Sequence, residues 1–188
     1  MKQVKVGLCG LAIVFFVSGC ATTTGITPQE KRQAVLSMKS KVLADLYEVR
    51  SKARAEIAAA PGYAVFSNAN VYLFFIAAGG GYGVVQDNKT GRQTFMKMGE
   101  AGVGLGLGVK DFRAVFIFHN RAVMEKFISS GWEFGGQADA AAKASDKGAA
   151  VGGEAVFGDI TIYELTESGL ALQATVKGTK YWKDDDLN

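Results

Sequence analysis

From Pro28 to Ala60 the apolar positions Val35, Met38, Val42, Leu46 and Val49 recur at intervals of three and four, which places them on one face of a helix. Ala34, Leu43 and Tyr47 widen that stripe. Thr27-Pro28-Gln29-Glu30 predicts the start: Thr27 caps, Pro28 suits the first helical position, and Glu30 completes a capping box. Pro61-Gly62 predicts the stop. Ser51 is placed to cap a second helix, so 28–60 reads as one long helix or as two.

From Pro61 onward the period shortens to two. Short strands are predicted at 63–66, 71–78, 82–86, 92–98, 102–109 and 114–119, with Asp87-Asn88-Lys89-Thr90-Gly91 as a hairpin turn. Asn120 is placed to cap a helix reaching about Ser130, with Val123, Met124 and Phe127 facing inward. Residues 132–142 read as strand-like and then Ala-rich, 143–153 as a loop. Residues 155–165 and 170–176 read as a final hairpin turning at 166–169. The expected fold class is α+β: a curled antiparallel β-sheet, barrel- or sandwich-like, with an N-terminal amphipathic helical segment and one further helix packed against it.

The first residues follow another pattern. Lys2 and Lys5 precede an apolar stretch, 6–17, too short to span a bilayer as a helix but suited to a signal-peptide core. Val17-Ser18-Gly19-Cys20 then resembles the bacterial lipobox: an aliphatic residue, two small residues and the cysteine that is acylated through sulfur. The expected organisation is a signal peptide over 1–19, a lipidated tether over 20–27 and one domain over 28–188, helical to 60 and mainly β from 61. Ala21, in place of an aspartate, points to the outer membrane. Cys9 would leave with the signal and Cys20 would carry lipid, so no disulfide is expected. Residues 21–27 reach at most about 25 Å, which keeps the domain near the membrane.

Charge matters here by location. The net charge is +3, and 28–60 holds seven basic against four acidic residues, whereas 61–188 holds twelve against fourteen. The chain has one His and two Cys, too few for the usual His/Cys metal sites, and no metal or cofactor is expected. No Gly-Lys dipeptide exists for a P-loop, and G-x-G-x-x-G fails at Val84 and at Val109. Neither nucleotide nor nucleic acid is therefore an expected partner. His119 ends a strand with no G-x-S-x-G elbow elsewhere, and nothing pairs Glu125 with Glu133, so no catalytic residue and no enzyme are expected. Asp184-Asp185-Asp186 reads as a solvated tail, with a weak cation site as the sharper alternative. Trp132, Tyr181 and Trp182 read as partly buried, with contact to a membrane interface the alternative for Tyr181-Trp182.

The 24 glycines call for a reason. Gly102, Gly104, Gly106 and Gly108 alternate with aliphatic residues, which leaves one strand face bare. Gly79-Gly80-Gly81-Tyr82-Gly83 makes a similar patch. A bare face serves close packing or sharp barrel curvature; the other reading is a ligand-binding face.

Taken in order, Ala60-Pro61-Gly62-Tyr63-Ala64-Val65-Phe66, Gly80-Gly81-Tyr82-Gly83-Val84-Val85, the 102–108 alternation, Phe118-His119-Asn120-Arg121-Ala122-Val123 and Ser168-Gly169-Leu170 resemble the SYLF lipid-binding domain family. The resemblance runs from about Gln33 to Trp182 and implies lipid binding, with basic residues of the N-terminal helical segment meeting the headgroup. The matching positions are Lys39, Lys41, Arg50, Lys52 and Arg54. Actin binding, described for some eukaryotic members, has no target in a periplasm. The expected function is a non-enzymatic outer-membrane lipoprotein that faces the periplasm and binds membrane phospholipid. The alternative is an envelope scaffold that docks a protein partner and uses its lipid only as an anchor.

Overall fold

The computed structural model describes residues 27–134, 149–151, 154–166, 169–170 and 178–188. The expected signal segment, Cys20 and the tether to residue 26, the Ala-rich stretch 135–142 and the strand 171–176 lie outside them.

The helical segment is two helices, α1 (Pro28–Val49) and α2 (Ala53–Ala59). The capping box at the start of α1 is formed, with Glu30 N donating to Thr27 Oγ1 at 3.2 Å and Thr27 N to Glu30 Oε2 at 2.8 Å. Ser51 does not cap α2; the capping position is Lys52, whose side chain makes no capping bond. The far end of α2 is closed instead by Asn88, whose Nδ2 donates to Ile57 O at 2.7 Å and Ala60 O at 2.9 Å. These are the orphan carbonyls that every helix end must satisfy.

The six short strands predicted between 63 and 119 are two long ones. β1 (Gly62–Asp87) and β2 (Gln93–Phe118) have 26 residues each and pair antiparallel from Gly62↔Phe118 to Gln86↔Gln93. The polar and glycine stretches that read as breaks are points where the hairpin folds back on itself. A straight strand would hold Val65 and Gly83 about 60 Å apart. Here a β-carbon added at Gly83 would collide with the Phe66 ring and the Val65 carbonyl. One added at Gly81 would collide with the Ser67 carbonyl and stand 2.9 Å from Asn68 Cα. Midway along β1 the register shifts between Phe74 and Ile76, opposite Gly106 and Val103. The extra residue lies on β2, between Val103 and Gly106, and the glycines of that same strand ease the bend it makes. The 102–108 run therefore sits where the hairpin curls.

The second edge of β2 is shared by β6 (Ile160–Thr166), on residues 113–118, and β8 (Gly178–Lys183), on residues 96–101. β3 (Trp132–Phe134) extends the sheet beyond β8. β5 (Glu154–Phe157), β4 (Ala149–Val151) and β7 (Gly169–Leu170) extend it beyond β6. Three details differ from the sequence reading. Residues 155–165 are not one strand but a hairpin closed by Gly158-Asp159, with Gly158 at φ 56°. β4 lies inside the predicted loop, and β8 was not predicted. Thr166 and Gly169, which flank the predicted turn, are paired.

Helix α3 (Arg121–Ser130) is capped by Asn120, whose Oδ1 accepts from Ala122 N at 2.9 Å. Strand alternation sends successive residues to opposite faces, and both faces are covered. Ala64, Phe66, Phe116, Phe118, Ile162 and Tyr181 pack against Met124 and Phe127 of α3. Tyr63, Val65, Val115, Ile117, Tyr163 and Leu165 pack against Val42, Leu46 and Ile57 of α1 and α2. A third cluster joins Val35 of α1 to Val84, Phe95 and Leu187.

Leu187 corrects the reading of the acidic tail as solvated. Asp184 N donates to Phe95 O at 3.0 Å, and Asn188 bonds both backbone groups of Phe95, at 2.9 and 2.8 Å. Asp184 is buried and pairs with Lys97 at 3.0 Å, while Asp186 reaches the same ammonium at 3.1 Å. These carboxylates hold the Lys97 pKa above its ordinary value, chiefly through the hydrogen bond that Asp184 accepts from the ammonium. Only Asp185 and Asp186 face water.

Candidate functional site

The apolar stripe of α1 is spent on the sheet. Val35, Val42 and Leu46 are buried, and Met38, Leu43 and Tyr47 pack at their margins. Polar clasps flank it: Arg32 Nε donates to Leu187 O at 2.6 Å, Lys39 Nζ to Gln86 Oε1 at 3.2 Å, and Arg113 pairs with Asp45 at 2.7 Å. The docked helix therefore cannot lay that stripe on a membrane.

The five basic positions separate accordingly. Lys39 is half-buried, and burial lowers its pKa. Arg50 ends α1 with its guanidinium over the Tyr163 ring, 5.9 Å from the centroid. Both point into the fold. Lys41 is exposed and pairs with Asp45 at 3.3 Å. Lys52 is exposed, 3.6 Å from Glu56. Arg54 is exposed and stacks on Tyr47 at 4.2 Å. Val49, 48% exposed, is the last residue of α1, three positions before Lys52 and five before Arg54 in the chain. The α1–α2 corner thus holds an exposed apolar side chain followed in the chain by Lys52 and Arg54. The sequence places Val49 on the apolar stripe of the helix; as the last residue of α1 it stands in solvent, unlike Val35, Val42 and Leu46 of the same stripe.

Beneath the corner lies a polar link. Tyr163, fully buried, donates its hydroxyl to Glu56 at 2.6 Å. Tyr163→Phe should keep the packing and lose about 1 kcal/mol of stability, read from the urea midpoint.

The remaining candidates fall elsewhere. His119 Nε2 lies 2.8 Å from Thr161 Oγ1. Glu125 pairs with Arg121 at 2.9 Å, and Glu133 sits opposite Lys180 on β3. The sequence pair Tyr181-Trp182 splits. Tyr181 is buried 4.7 Å from the Phe66 ring, and Trp132 packs beside it, whereas Trp182 is 39% exposed.

Residues 99–188 match the profile of the family Ysc84, described as a Las17-binding protein actin regulator. This region belongs to the Ysc84, or SYLF, family. The match contains the 102–108 alternation, the 118–123 motif and Ser168-Gly169-Leu170; the 60–66 and 80–85 motifs precede it. The chain is also similar to Beta cell expansion factor A of Aeromonas veronii, at 34% identity over 167 residues. The alignment covers 86% of this chain and 60% of that protein, so the chain spans about three fifths of its relative's length. No helix among the described residues is long and apolar enough to cross a membrane.

Proposed function

We propose that this chain is an outer-membrane lipoprotein, anchored through Cys20 and facing the periplasm, whose SYLF-like domain binds phospholipid without catalysing a reaction. The observation that carries the reading is the α1–α2 corner, where exposed Val49 is followed in the chain by exposed Lys52 and Arg54, outside both cores. An apolar group among cations suits the headgroup region, and each cation near an anionic surface contributes about 1 kcal/mol. The stripe of α1 stays on the sheet in this reading, and the corner alone makes the contact.

Co-sedimentation of residues 21–188 with phosphatidylglycerol vesicles tests it. Lys52→Gln combined with Arg54→Gln should weaken binding on the order of thirtyfold at low salt. Absence of binding to any anionic vesicle at low salt would remove the reading in favour of an envelope scaffold.

A further inference from the structure

We infer that the β8 end of the sheet is a second lipid contact, with Trp182 as its anchor in the headgroup region. This rests on the proposed lipidation of Cys20 and adds a site at the opposite end of α1 from the corner.

Trp182 is one of two large apolar side chains that stand out in solvent among the described residues, the other being Val49. Its indole lies over Gly99: a β-carbon there would stand 3.2 Å from indole Cη2. The glycine thus supplies a floor for the ring, which is 39% exposed. Lys97 is the direct cross-strand partner of Trp182, and Phe95 lies two residues before it, so Trp182 shares the sheet face that carries α1.

The chain's own geometry says what covers this face. Arg32, in the first turns of α1, is bonded to Leu187, and Leu187 follows Trp182 by five residues. The start of α1 and the end of β8 are therefore neighbours. From Thr27 only seven residues lead back to Cys20, about 25 Å at full extension. The α1–α2 corner lies beyond 22 residues of helix, about 33 Å further on. A lipid on Cys20 brings the β8 end to the bilayer before any other described surface.

Charge does not drive this contact. Lys180 and Lys183 are exposed, but so are Asp185 and Asp186, and Lys97 is held by Asp184 and Asp186. An amphipathic ring does, since tryptophan favours the headgroup level. The contact therefore persists at high salt, unlike that of the corner.

The test uses the full chain purified from membranes and reconstituted in phosphatidylethanolamine–phosphatidylglycerol vesicles. Mass of the mature chain and vesicle flotation read the lipoprotein itself. Brominated lipids then quench tryptophan, and Trp182→Phe should remove at least half of that quenching, at low salt and at 0.5 M salt alike. Equal quenching of the native chain and Trp182→Phe would overturn the contact. Single labels at Lys180→Cys and Lys52→Cys, with an environment-sensitive dye, guard against a folding defect. A blue shift at Lys180→Cys supports the contact. A shift at Lys52→Cys alone overturns it and leaves the corner standing. No shift at either, in a chain that floats with vesicles, overturns both contacts, and a chain that does not float removes the lipoprotein on which they rest.

Discussion

Gly83→Val is expected to destabilise the domain by about 3 kcal/mol or more, read as a fall in the urea midpoint at unchanged slope. The site has no slack. An added β-carbon would collide with the Phe66 ring and with the carbonyl of Val65, and that carbonyl is backbone of a residue paired with Val115 of β2. Phe66 cannot retreat either, because its ring is packed edge-on against Phe116 at 5.6 Å and Tyr181 at 4.7 Å. The variant must therefore unbend the hairpin. Two other glycines separate this cause from glycine loss in general. Gly80→Ala meets only Met98 O, at 3.8 Å, and should change stability by less than about 0.5 kcal/mol. Gly91→Ala meets nothing within 4 Å but must hold φ near 75°, which costs about 1 kcal/mol. Equal losses at all three positions would refute close approach as the reason for Gly83.

That comparison marks how far the sequence was legible. Signals read correctly are local ones: the Thr27–Glu30 capping box, the Asn120 cap and the pairing of Thr166 with Gly169 depend on residues within four of each other, although the equally local Ser51 does not cap α2. Gly158-Asp159 carried an equally local two-residue turn signal, and an unbroken apolar run on either side masked it. The continuity of β1 through Ser67-Asn68-Ala69-Asn70 and Gly79-Gly80-Gly81 was not legible, because it is set by β2, whose partner residues lie 17 to 46 positions further along the chain. The same holds for β8, whose partners Met96–Ala101 precede it by about eighty residues. The site divides in the same way. That Lys39 and Arg50 turn inward while Lys41, Lys52 and Arg54 stay out follows from Gln86 and Tyr163, which no helical wheel includes. Tyr181 and Trp182 are adjacent in sequence and opposite in role, which strand alternation explains only once 178–183 is known to be a strand.

Asp87→Ala should cost about 3 kcal/mol at neutral pH, and Asp87→Asn should flatten the acid limb of the stability profile. Asp87 closes β1 at the hairpin tip and is 2% exposed. Its Oδ1 accepts from Lys89 N at 2.9 Å and Thr90 N at 3.2 Å, which folds the turn, and its Oδ2 pairs with Arg121 at 2.8 Å. One carboxylate therefore ties the hairpin tip to α3, while Asn88 beside it closes α2. The Arg121 guanidinium, with the turn N–H donors, holds the Asp87 pKa far below the usual carboxylate range. An aspartate in the unfolded chain titrates near 4. Because the folded value is the lower one, the stabilisation is fully present above about pH 4 and is lost as pH falls from there toward the folded value. Urea midpoints measured from pH 7 down to pH 2 should fall below pH 4 in the native chain. In Asp87→Asn, which is uncharged throughout, that fall should shrink by the share Asp87 contributes. An unchanged acid limb in the variant would show that other carboxylates govern acid unfolding and that the hairpin tip is not held by this pair.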